Sequence, residues 1–192
     1  MKKSNFLALG GLLTAFAVIA IWSLTTCENV IQGYGKLPKW GVSVVGIVFM
    51  LMLFIPNIIW SKNLPEGYEE AAKHESKRLL AFERTGEMLA TVFMLTDRRL
   101  DSFGLSPRLG YPMLGLILMI MYELYWLGYF RSSHTLKDMY SDYCGFPLAG
   151  ASLPVFSVFL FGVYACNVFL IAAAVILGIG HIGIHLMHQR EL

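Results

Sequence analysis

The sequence predicts an all-α integral membrane protein with four transmembrane helices plus one amphipathic or re-entrant helix, and three observations carry that expectation. The 192 residues are 56% hydrophobic and 15% charged, with a mean hydropathy of +0.60, whereas a soluble domain is about 45–50% apolar and 25% charged. Apolar runs near residues 5–25, 41–60, 111–130 and 153–180 each come close to or exceed the ~20 residues that cross hydrocarbon. Between the second and third runs, residues 66–97 carry a charged helical pattern that passes into a short apolar one. The chain 1–192 is read as a single multi-pass membrane domain, with five spans as the alternative threading if that middle segment crosses.

The first run follows Lys2 and Lys3 and extends from Phe6 to Leu24. It is longer than the ~7–15 residues of a signal-peptide core, so it reads as an uncleaved span. LTTC at Leu24–Cys27 is the competing detail: lipidation of Cys27 would replace the span by an anchor. Gly33, Gly35 and Pro38 mark a turn. Trp40 and Trp60 then bracket the second run, as residues of an interfacial belt do. Near its end, Pro56 removes a backbone donor. Asn57 beside it is expected to bond a neighbouring helix, with ligand binding as the alternative.

The segment at 66–97 is the pivot. Only Met88 to Thr96 is uninterrupted apolar sequence, ~14 Å of helix, because Glu83, Arg84 and Glu87 precede it. Insertion of a basic or Asp side chain at a helix centre costs about 2.5–3.5 kcal/mol, so the segment is expected to lie on or partly enter one leaflet. The third run, Tyr111–Phe130, contains Glu123 and ends in YELYWLGYF, whose Tyr125, Trp126 and Tyr129 suit an interface. Glu123 is expected to meet Tyr164 or Asn167. A polar loop with His134, Asp138 and Asp142 follows. The last run is expected as one tilted helix continuing through Gly178, Gly180 and Gly183, where thin side chains fit close packing, to His181, His185 and His188.

Basic residues in short loops decide the threading. Five spans set eight Lys and Arg inside against six outside, whereas four spans set eleven against four. Four spans are therefore favoured, in a cell membrane, with both termini cytoplasmic. The formal net charge of +2 comes from 15 basic and 13 acidic residues, and without a basic patch no nucleic-acid partner is expected. The three cysteines lack CxxC spacing, so no zinc knuckle is indicated. Cys166 reads as a core residue, and Cys27 and Cys144 fall in loops where they would pair on a shared oxidising side.

The four-span threading brings Glu83 and Glu87, one turn apart, to the boundary where His181 and His185, also one turn apart, emerge with His188. Imidazoles opposed by carboxylates are a candidate first shell for a divalent transition metal. The alternative is histidines solvated at headgroup level near a helix C-terminus. Five spans would separate these groups and bring Glu123 towards Glu83, Glu87 and His134 as a proton or cation path. No GxGxxG, Walker or GxSxG motif occurs.

The function expected is therefore binding of a small molecule or lipid at a polar pocket near the cytoplasmic face. Glu83, Glu87 and Glu123 are the candidate acid–base groups, Arg84, Asn57, Asn167 and His134 the candidate binding groups, and His181, His185 and His188 the candidate metal ligands. Metal-assisted catalysis, ion-coupled transport through Glu123, and a purely structural role in a membrane complex are the alternatives.

Overall fold

The computed structural model describes residues 3–26, 39–103 and 107–192. It is an all-helical bundle: α1 (Lys3–Thr26), α2 (Val44–Trp60), α3 (Tyr68–Ala72), α4 (Lys77–Thr96), α5 (Gly110–Tyr129), α6 (Leu136–Met139), α7 (Ala149–Tyr164) and α8 (Val168–Glu191). Among the described residues the only β pairing is two isolated bridges, Trp40 with Asp97 and Tyr143 with Phe146.

α7 is the centre. Every residue from Ala149 to Val163 is buried, because α5 and α8 flank it and Phe16 of α1 stacks on its Phe156 at 4.1 Å. Ser157 of α7 donates a 2.7 Å hydrogen bond to the Gly115 carbonyl of α5, which satisfies this buried hydroxyl. α4 lies on the far side of α8, and α2 bridges α4 and α5.

The run 153–180, expected as one tilted helix, is instead two antiparallel helices. The chain reverses at Ala165–Asn167, where Cys166 takes a left-handed φ of 50°. Asn167 then starts α8 by accepting a 3.0 Å hydrogen bond from the Leu170 N–H, and its own N–H bonds the Gly162 carbonyl at 2.9 Å. The Asn167 amide also donates to Asp97 at 2.8 Å. Asp97 is fully buried and gripped by both Arg99 Nε and Nη2, the shortest contact being 2.6 Å. Without glycine or proline at the reversal, the sequence marks it only by Asn167, a residue type favoured at helix starts.

The segment 66–97 also differs from expectation. It is two helices, α3 and α4, and α4 is no half-length excursion. It runs antiparallel along all of α8, from Glu75 beside His188, past Phe93 stacked on Phe169, to Asp97 beside Asn167. Twenty residues give it a length of about 30 Å. Small residues make the pairing possible. A Cβ on Gly180 would lie 2.1 Å from the Glu83 nitrogen, and one on Gly86 2.2 Å from the Leu177 nitrogen, so the two backbones touch directly.

The bundle thus has two ends. α2, α5 and α8 start at the Asn167 end, where Asp101 accepts hydrogen bonds from Ser43 Oγ and from the Val44 and Val45 N–H groups at the head of α2. α4 and α7 start at the His188 end. Among the described residues two helices, α5 and α8, are long and apolar enough to cross a membrane, and Gly10–Ile19 of α1, α2 and α7 are apolar but shorter. Large apolar side chains face outward along the helices, among them Leu51, Ile55 and Ile58 of α2, Ile117 and Ile120 of α5, and Val175 of α8.

Two cysteine expectations change. Cys166 is disulfide-bonded, so it is not an inert core residue, and Cys144 is free, so it does not pair with Cys27. Cys27, and with it the lipidation site considered there, lies outside the described residues.

Candidate functional site

Towards the His188 end, α2, α4, α5, α7 and α8 enclose a cavity of about 390 Å³, within the range of small-ligand pockets, roughly 300–1,000 Å³. α4 supplies Glu83, Arg84 and Glu87, and α8 supplies His181 and His185. Glu83 and Glu87, Arg84 and Glu87, and His181 and His185 are each three or four residues apart, which puts the members of each pair on neighbouring positions of one helical face. Met50, Leu53, Val155 and Leu177 form an apolar side of the same space. Counting 1.5 Å per residue from Lys77, Glu83 and Glu87 sit about 9–15 Å inside the bundle.

The backbone contact at Gly180 sets His181 against Glu83, and His181 Nδ1 bonds Glu83 Oε1. A carboxylate on one ring nitrogen fixes the imidazole's orientation and leaves Nε2 for proton exchange or ligand contact. The His185 ring follows at 4.7 Å. His185 is 7% exposed, stands edge-on to Tyr140 at 5.0 Å, and its Nδ1 has no hydrogen-bond partner among the described residues. His188 is buried outside the cavity, with Nε2 3.0 Å from Glu75 Oε1 and its ring stacked on Tyr140 at 4.9 Å. These histidines are therefore packed groups, not ones solvated at a headgroup boundary.

Burial pushes the Tyr68 phenol up to about 12, with Glu75 and Glu83 adding to the effect. Burial first, then Tyr68 and Glu75, likewise raises the Tyr140 phenol far above its ordinary value. Both phenols stay protonated and able to donate. Arg84 and Glu87 are exposed, and among the described residues neither makes an ion pair or hydrogen bond.

The candidates of the sequence therefore divide. Glu83, Arg84, Glu87, Asn57, His181 and His185 line one cavity. Asn57 also bonds across to Tyr122 at 3.4 Å, the neighbour contact expected of it. Asn167 is at the opposite end, committed to Asp97 and Leu170. Glu123 does not meet Asn167 or Tyr164, because the reversal at 165–167 holds both at that far end, where Tyr164 donates to the Ser102 carbonyl at 2.5 Å. One Glu123 oxygen is buried without a partner among the described residues, and the residue does not line the cavity. His134 takes a left-handed φ of 52° after α5 and lies 5.2 Å from the Tyr129 ring, outside the cavity. For a divalent metal, no group of three or more His, Cys, Asp or Glu among the described residues is placed to hold one. His181 and His188 are each taken by a carboxylate instead.

Sequence reasoning missed the aromatic part of the site. Tyr122, Tyr125 and Trp126 line the cavity and, with Tyr129, are at most 5% exposed, whereas an interfacial belt was expected there. The signal was available: 122, 125, 126 and 129 fall at i, i+3, i+4 and i+7, one buried helical face. Tyr68, Glu75 and Tyr140 come from short connecting elements and carry no such signal.

Comparison with protein-family models, with curated proteins and with solved structures finds no match. What the site does is therefore argued from its own residues.

Proposed function

We propose that this chain is a multi-pass membrane protein that binds an amphipathic ligand in the cavity at the His188 end. The observation that carries the reading is the pairing within one cavity of an apolar wall with Arg84 and Glu87, opposite charges left without partners among the described residues. Ionisable side chains at membrane depth are costly and are retained where they face a cavity or a ligand.

Outward-facing apolar side chains on α2, α5 and α8 support a lipid surround, since a soluble monomer rarely exposes such continuous patches. α4 accompanies α8 from end to end, so if α8 crosses, α4 crosses too. With α1, α2, α5 and α7 the count becomes six, and both termini emerge on one side. Among the described residues, the His188 end then carries eight basic residues, namely Lys3, Lys62, Lys73, Lys77, Arg78, Arg131, Lys137 and Arg190. The other end carries four, Lys39, Arg98, Arg99 and Arg108. That asymmetry supports a cytoplasmic His188 end. An oxidised Cys166 at the opposite end fits an oxidising exterior.

Trp60 and Trp126 line the cavity and report on it. A lysophospholipid titrated into the detergent-purified protein should change tryptophan fluorescence saturably. Ala90→Phe, which fills space at a buried lining position, should abolish the saturable phase while thermal unfolding stays cooperative. Saturable binding that survives in folded Ala90→Phe would refute the pocket.

A further inference from the structure

We propose that the ligand's polar head is a zwitterion carrying an ammonium and a phosphate on one short bridge, as in a phosphoethanolamine lipid. The inference rests on the amphiphile pocket above and adds the class of headgroup. Three carboxylates and one guanidinium line the cavity, but Glu83 is already engaged by His181 and Glu75 by His188. One anion, Glu87, and one cation, Arg84, remain without protein partners among the described residues. They stand three residues apart on α4, so their Cβ atoms are neighbours at about 5–6 Å. That spacing suits a head whose opposite charges are joined by two carbons. A purely anionic head would satisfy Arg84 and meet repulsion from Glu87, and a purely cationic head would do the reverse.

Two further features of the cavity point to a ligand of this kind. Trp60 and Tyr68 meet edge to face at 5.0 Å, and Tyr122 and Trp126 at 6.0 Å. All four line the cavity, which gives an ammonium aromatic faces to sit on. His185, more than nine-tenths buried, adds a polar side chain to the lining of the same space, and its Nδ1 has no hydrogen-bond partner among the described residues. The apolar wall of Met50, Leu53, Val155 and Leu177 suits the first part of an acyl chain, which is why the source is assigned to a lipid.

The test titrates the detergent-purified full chain, read by tryptophan fluorescence, with short-chain phosphatidylethanolamine, phosphatidylglycerol and diacylglycerol bearing the same acyl chains, and with free phosphoethanolamine. Phosphatidylethanolamine is expected to bind at least tenfold tighter than either other lipid, and free phosphoethanolamine at least a hundredfold more weakly. Glu87→Gln should erase the preference over phosphatidylglycerol, and Arg84→Gln the preference over diacylglycerol, while diacylglycerol affinity reports that each variant is folded. Equal affinity of the wild-type protein for the three lipids would overturn the headgroup inference and leave the amphiphile pocket standing. A Glu87→Gln protein with its preference intact would overturn it as well. Phosphoethanolamine binding as tight as the lipid would overturn the assignment to a lipid, and binding of none of the four would overturn the pocket itself.

Discussion

Gly180→Ala perturbs the contact on which the site is built. A Cβ there would stand 2.1 Å from the Glu83 nitrogen, 2.6 Å from its Cα and 2.7 Å from the Leu79 carbonyl oxygen. Ordinary contact begins at 3.4 Å, so α4 and α8 must part locally by about 1.3 Å, the difference between 3.4 and 2.1. Every obstructing atom is backbone, and no side chain can rotate away. Overpacking of this kind costs about 1–3 kcal/mol, and the upper end is expected here. In a chain of this size about 2–4 °C is lost per kcal/mol, so the melting midpoint in detergent should fall by roughly 6–12 °C. The same displacement pulls Glu83 from His181, and ligand affinity should fall with it. Gly128→Ala is the control, since nothing lies within 4 Å of a Cβ at that position and alanine is the better helix former by about 0.5–1 kcal/mol. Gly180→Ala melting within a degree of Gly128→Ala would refute the direct backbone contact and the account of the site built on it.

Two other outcomes follow. Cys144 is free and exposed in the loop between α6 and α7 at the His188 end, whereas Cys166 is oxidised at the other. A membrane-impermeant maleimide should therefore label Cys144 in inverted vesicles and not in intact cells, and Cys166 only after reduction. Labelling of Cys144 from outside would reverse the orientation proposed for the bundle. Tyr68 has its phenol raised from 10.0 to about 12 by burial, with Glu75 and Glu83 adding to it. Above pH 10 the unfolded chain has lost this proton and the folded one has not, so stability falls as pH rises towards 12. Tyr68→Phe should flatten that part of the stability profile, and an unchanged slope would show that Tyr68 is not held protonated by its surroundings.

The candidate site was legible to the extent that it depends on one helix at a time. Glu83 and Glu87 share a face, as do His181 and His185, and residue spacing alone says so. Four spans unite these pairs at one boundary. In the structure they meet although two steps of that route differ. α4 runs the full length of α8 where a partial excursion was expected, and the last run folds back at Ala165–Asn167 where a continuous helix was expected. Each change inverts the direction of the chain once, and two inversions return His181 to the level of Glu83. Glu123 had no such compensation. Its expected partners Tyr164 and Asn167 lie on the reversal itself and were carried to the other end.

By itself the sequence determined the helical class, the apolar faces and the register of charged and imidazole groups on each helix, because these are set by periodicity along a single element. Only the tertiary structure decided where an apolar run turns and which helices touch. The turn at Cys166 depends on Asn167 finding Asp97, seventy residues away in the chain. The pairing of α4 with α8 depends on Gly86 and Gly180 coming face to face. Both are contacts between distant segments whose free energy exists only once the partner is in place.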